Sequence, residues 1–365
     1  MIEMEKDKDK DKDKDKQLKW SHVKPESILD WYLPESDPLS GRVVVGSDFI
    51  EINDMPHCEL FIEKLYAEVE KREPSEMDFN LRVDWDVDGV NKRIKFRGHK
   101  QDSIEGRFII LRQMPVVLPE LGSLGLPEQI KIILEHENLN HGGLVIICGE
   151  PGNGKSTTSA AMIKKRLLKM GGFCLTLENP VEMPLHGRHG NGFCLQSSVD
   201  EGGFEKALTA AMRCYPTATN AVLYLGEIRS AETAAEALRI ANNGHLVITT
   251  LHSSNVITCL KRVLALAKTQ NMTDDEAGSL LASSLRLVLH QKLEASQEDP
   301  LDRKLKVSFL FSSNNQSPIA NRIRGGNVDN LVTEVEQQNQ MLRNNQGHQL
   351  QKLLDGWKKD NTLYG

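Results

Sequence analysis

In the stretch "GEPGNGKST", Gly149, Gly154, Lys155 and Ser156 stand at the spacing G-x-x-x-x-G-K-[ST], with a further glycine at Gly152. Such glycines let main-chain N–H groups close around phosphate oxygens. A lysine in this place reaches the β- and γ-phosphates, and the serine hydroxyl reaches Mg²⁺. The apolar run "LVIIC" before the stretch and the helix-like "TSAAMIKKRLLKM" after it supply strand, loop and helix in the required order, and a helix N-terminus favours an anion. Gly149, Gly152, Asn153, Gly154, Lys155, Ser156 and Thr157 are the expected nucleotide-binding set, with Ser156 a contact of Mg²⁺. A glycine turn without nucleotide is the alternative, and phosphate binding alone does not separate kinases, helicases, GTPases and transport motors.

Three more candidates end apolar runs. In "LTLENPVE" the strand-like Phe173 to Leu177 runs into Glu178, a carboxylate able to take a proton from an attacking water or to orient it. A solvated loop glutamate is the competing reading. In "AVLYLGEIRS" the run ends in Gly226 and Glu227, where an acid is wanted for the Mg²⁺ shell. Alternatively, Glu227 serves the dipole of the following helix. In "NNGHLVITTLHSS", His245 precedes a strand and His252 follows it, where an imidazole can sense a γ-phosphate by hydrogen bonding; a lone strand-end histidine is otherwise structural. Four strand ends in series make the bland readings lose together.

The elements that must hold these residues read as α/β. From about residue 128, short apolar runs alternate with helical patterns, including "AETAAEALRIAN", which predicts βαβ units and a parallel sheet covered on both faces. From Ser253 on the chain reads as mainly helical, with "EAGSLLASSLRLVLHQKL" its clearest amphipathic piece. Residues 20–114 hold strand-like pieces around the helix "CELFIEKLYAEVEKR", whose Leu60, Ile62, Leu65 and Val69 fall near one face, a small α+β domain. Pro115, Pro119, Gly122, Gly125 and Pro127 mark a linker over 115–127. Lys/Asp alternation from Lys6 to Lys16 predicts a disordered tail over 1–19. A net charge of −6 with 39% apolar residues describes a soluble globular chain without a general attraction to nucleic acid. The six cysteines have no C-x-x-C pairing, which fits free thiols in a reducing cytosol, and no apolar segment is long enough to span a bilayer.

The series of motifs resembles the secretion ATPase superfamily of type IV pilus and type II and IV secretion motors. "GEPGNGKSTT" is similar to its Walker A, "LTLENPVE" to its Asp box, "LYLGEIRS" to its Walker B and "GHLVITTLHSS" to its His box. The resemblance implies a RecA-like P-loop ATPase core on 128–365, preceded by a PAS-like N-terminal domain, in a homo-hexamer. It implies Glu178 as catalytic base, Glu227 as the acid that organises Mg²⁺ and water, and His252 as γ-phosphate sensor. Arg97, Arg107 and Arg112 lie in strands that in the family supply arginines to phosphates; Arg97 and Arg112 are the favoured pair. Asn179 departs from the acidic second residue of the Asp box, and Ser230 from the Walker B aspartate, where it suits a helix N-cap. The missing four-cysteine zinc insertion favours the PilT-like retraction branch or a DotB-like type IVB secretion or conjugative transfer ATPase, and the tail "SPIANRIRGGNVDNLVTEVEQQNQ", which resembles a PilT segment, favours the first. Either implies an inner-membrane platform protein as partner, at the cytoplasmic face. A weakly hydrolysing regulatory subunit of a motor ring is the third reading.

Overall fold

The computed structural model describes residues 20–45, 48–115, 117–199, 203–216, 219–268, 272–295, 303–343 and 357; the Lys/Asp tract lies outside them. The chain divides into two compact units, Met1–Val116 and Val117–Gly365.

In the first unit, strands β1 (Asp30–Pro34), β2 (Arg42–Val45) and β3 (Asp48–Glu51) precede helix α1 (Glu59–Val69), and β4 (Asp78–Val87), β5 (Val90–Ser103) and β6 (Gly106–Met114) follow it. They form an antiparallel sheet in the order β3-β2-β1-β6-β5-β4. Alternation along β4 and β5 buries Phe79, Leu81, Val83, Ile94 and Phe96 beside Phe61, Ile62, Leu65 and Val69 of α1. Leu60, expected on that helical face, is exposed. At 100° per residue it lies a quarter turn or more off the stripe that Phe61 begins. Gly98 sits under the Phe79 ring of the neighbouring strand, where any Cβ would collide with it.

The second unit holds β7 (Gly143–Cys148), β8 (Gly172–Glu178), β9 (Gly187–His189), β10 (Gly192–Ser198), β11 (Ala221–Leu225), β12 (Leu246–Leu251), β13 (Leu285–Ala295) and β14 (Arg303–Phe311). The sheet order is β14-β13-β7-β12-β11-β8-β10-β9, parallel except at its edge strands β14 and β9. Helices α2 (Glu128–Leu134), α3 (Lys155–Met170), α4 (Phe204–Ala211), α5 (Ala231–Asn242), α6 (Val256–Lys268), α7 (Asp274–Ser284), α8 (Pro318–Arg324) and α9 (Val332–Arg343) complete the unit. Two apolar clusters flank the sheet, which explains why β7 and β12 are buried along their whole length without alternation. Leu118, Leu121 and Leu126 are buried in one of them.

One expectation fails here: "LRLVLHQKL" is strand rather than helix. Leu285, Leu287, Val288 and Leu289 are all buried, because β13 lies between β7 and β14 and is covered on both faces. A short apolar run of this kind has the same signature in a buried helix. Cys58, Cys148, Cys174, Cys194 and Cys259 are buried free thiols and Cys214 is exposed. No helix among the described residues is long and apolar enough to cross a membrane.

Candidate active site

Sheet register fixes the site. Leu177 pairs with Leu225, Leu225 with Thr249, and Leu251 with Cys148, so β8, β11, β12 and β7 end side by side. The residues that close or follow them, in spatial order, are Glu178, Glu227, His252 and the glycine loop. Chain order differs: β12 is last of the four in sequence yet pairs directly with β7. His252, not Glu178, is therefore the neighbour of the loop lysine.

The loop runs from β7 into α3. Gly149, Gly152 and Gly154 have φ of 150°, 77° and 73°, a region that favours glycine. A Cβ on Gly149 would collide with the main-chain oxygen of Gln291 on β13, whereas one on Gly152 would meet nothing within 4 Å, so the loop is closed behind and open in front. Among the described residues, no acceptor meets the main-chain N–H of Gly152, Gly154, Lys155 or Ser156. Helix starts leave such donors free, and together they form an anion cradle that fits a nucleotide phosphate. Asn153 is used differently: its Oδ1 accepts from the Leu293 N–H of β13 at 2.8 Å, and its own oxygen accepts from the Gln291 side chain. Ser156 and Thr157 lie half-buried in the first turn of α3; burial raises the Tyr224 hydroxyl well above its ordinary value, against the opposing effect of Ser159 and Ser156.

Lys155 is buried, and burial pushes its ammonium below the ordinary value, opposed by the Glu227 and Glu182 carboxylates. It donates to the Glu150 oxygen at 3.0 Å and lies 3.2 Å from His252 Nδ1. An ammonium has only donors, so Nδ1 accepts and the ring proton sits on Nε2. That nitrogen faces Glu227 Oε1 at 3.3 Å, and Glu227 Oε2 accepts from Arg229 Nε at 2.7 Å. Lysine, imidazole, carboxylate and guanidinium thus form one connected row.

Glu178 is 3% exposed. Burial raises its carboxyl to about 7, against the opposing effect of hydrogen bonds from Gln196, Thr176 and the Glu182 main chain. Gly226 makes room for it: a Cβ there would stand 3.3 Å from Glu178 Cα and Cγ. Glu178, Asn179, Glu182, Glu227 and Arg229 line a cleft of about 400 Å³. Ser230 caps α5, its hydroxyl accepting from the Thr233 N–H at 3.3 Å. His245, at the other end of β12, packs against Tyr215.

The arginines sit in the first unit. Arg107 Nε donates to Asp102 and Arg112 Nε to Asp30, at 2.7 and 2.6 Å. Arg97 lies opposite Arg112 in the β5–β6 register and has no ion pair among the described residues. Sequence reasoning missed Gln196, Gln291, Tyr224 and Arg229. Only Arg229 stands inside a quoted motif beside its partner; the others reach the site from strands whose neighbours pairing alone reveals.

Comparison with known proteins bears on the family and the fold. Residues 60–356 match the family model described as Type II/IV secretion system protein. YggR of Escherichia coli K12, an uncharacterized protein, is 33% identical over 283 residues, 76% of this chain and 79% of its own length. The type IV pilus ATPase PilU of Pseudomonas aeruginosa is 32% identical over 230 residues, 61% of this chain and 55% of its own length. The chain thus matches little over half of PilU. A crystal structure of the pilus retraction motor PilT with bound ADP shares the fold, with a TM-score of 0.65 at 24% identity, over 85% of this chain and 86% of that one. With a family match across most of its length and a RecA-like core around the glycine loop, the chain belongs to the Type II/IV secretion system protein family, a family of ATPases.

Proposed function

We propose that the chain is a hexameric motor that couples ATP hydrolysis to domain rotation and powers type IV pilus retraction at the cytoplasmic face of the bacterial inner membrane, through an inner-membrane platform protein. The observation that carries the proposal is the row of strand ends, with Lys155 joined to His252, His252 to Glu227, and Glu178 buried on the next strand. The similarity to PilU and to the retraction motor PilT supports the pilus assignment over a DotB-like secretion role.

In this reading Lys155 and the free N–H groups of the loop and first helical turn bind the β- and γ-phosphates. Ser156 with Glu227 would hold Mg²⁺, which when bound would neutralise charge on the phosphate oxygens. Glu178 takes the proton of the attacking water; with its carboxyl near 7 it is substantially ionised at neutral pH and still a competent base. His252 senses the γ-phosphate, because a phosphate that draws Lys155 away removes the donor at Nδ1.

The test is steady-state ATP turnover by the purified full chain. Lys155→Ala and Glu178→Gln each abolish it, by about a hundredfold or more for loss of a positioned base. Unchanged hydrolysis in both would overturn the assignment. Asn179, where the family pattern has an acid, lines the cleft and favours one further reading, a regulatory subunit. Wild-type turnover at background level would select it.

A further inference from the structure

We propose that Gln196 of β10 is a positioning residue for hydrolysis: its amide fixes the Glu178 carboxylate in one orientation and ties it to the main chain of residues 183–186. The inference rests on Glu178 acting as the base. Gln196 Nε2 donates to Glu178 Oε1 at 2.8 Å and to the Met183 oxygen at 2.7 Å. Its Oε1 accepts from the N–H groups of Leu185 and His186, each at 3.2 Å. Both N–H donors and both lone pairs are used, so the amide cannot flip: reversed, its NH₂ would face two main-chain donors and its oxygen a carboxylate and a carbonyl.

The placement follows from the sheet. β10 pairs in parallel with β8, with Gln196 opposite Thr176 and Ser198 opposite Glu178. From that register a glutamine is long enough to reach the carboxylate at the strand end, while the loop from Asn179 to His186 folds back over it. The carboxylate is thereby coupled to the loop that forms one wall of the cleft.

The other titratable groups around Glu178 are Glu182 from that loop, Tyr224 from β11 and Cys174 from its own strand. Glu227 and Arg229 after β11, Glu205 of α4 and Glu232 of α5 line the same cleft. Substituting Gln196 alters none of them, so a change confined to the Gln196 variants reports on the amide.

The experiment is the pH dependence of kcat and KM for ATP in the full chain, comparing wild type with Gln196→Met, Gln196→Glu and Glu178→Gln. Without the donor, the Glu178 carboxylate holds its proton more tightly. The acid limb of Gln196→Met is expected to move up by about one unit, a tenfold loss below both midpoints, with recovery toward the wild-type rate at pH 9 and unchanged KM. Gln196→Glu keeps the side-chain length and its acceptor contacts but sets a carboxylate against Glu178, and moves the limb further in the same direction. It also carries the test should the methionine variant fail to fold. A limb that coincides with wild type, or a rate lowered by one factor at every pH, overturns the positioning role. Wild-type turnover by Glu178→Gln overturns the base assignment itself, whatever the Gln196 variants do.

Discussion

Glu178 closes a strand whose last five residues are buried, and its carboxylate shares that burial. The raised carboxyl suits a base, and it also has a consequence for folding. A glutamate near 7 in the folded chain and near 4.5 when unfolded binds its proton more tightly when folded, so this group's contribution is most favourable at low pH. Stability falls as pH rises from about 4.5 through about 7 and stays lower above. Glu178→Gln removes the ionisation cost while keeping an acceptor for Gln196. The variant should be more stable than wild type by up to ~3 kcal/mol at pH 8, and by about 1 kcal/mol at pH 5.5. Urea unfolding at the two pH values measures this, and a difference that does not shrink with acidification contradicts it. A stability cost where the residue is ionised is what a trade-off between stability and function predicts for the proposed base.

At the scale of elements, the glycine loop is braced from behind. Gly149 lies against Gln291, and Asn153 receives the Leu293 N–H, so β13 and not only α3 sets the loop's shape. This brace was not legible in the sequence. The motif displays the loop, the preceding strand and the following helix within one short window, whereas β13 comes far later in the chain and carries an apolar run that suits a helix equally well. The four strand ends were legible for the opposite reason: each apolar strand runs directly into its candidate residue. Gln196 was not, since nothing in "FCLQSS" reveals that β10 pairs with β8. Asn153→Ala leaves the Leu293 N–H unpaired and frees the loop. The loss of one such bond, about 1–1.5 kcal/mol, weakens ATP binding about tenfold. Titration calorimetry with a non-hydrolysable ATP analogue measures it, and an unaltered Kd shows that the helix alone holds the loop.

At the scale of the whole molecule, the family match runs from residue 60 to 356 and so draws on both units. The phosphate loop and its acids belong to the second unit, and the three candidate arginines to the first. The sequence favoured Arg97 and Arg112 without choosing between them. The structure separates them by pairing, because carboxylates already engage Arg107 and Arg112, while Arg97 has no ion pair among the described residues and faces another cation. Like charges at opposite positions of a sheet disfavour one another, and the Asp30 carboxylate that engages Arg112 forms no ion pair with Arg97 among the described residues. Arg97 is therefore the better candidate to stabilise charge on a transferring phosphoryl group. If the arginine acts on a neighbouring subunit's nucleotide, Lys155→Ala and Arg97→Ala chains are each inactive alone and complement one another when mixed. In a head-to-tail ring assembled at random from equal amounts, about one interface in four joins an intact loop to an intact arginine, so mixing restores roughly a quarter of wild-type turnover. Mixtures of Lys155→Ala with Lys155→Ala, Glu178→Gln double variants restore none. Recovery absent from the first mixture as well would confine Arg97 to its own subunit or remove it from the site.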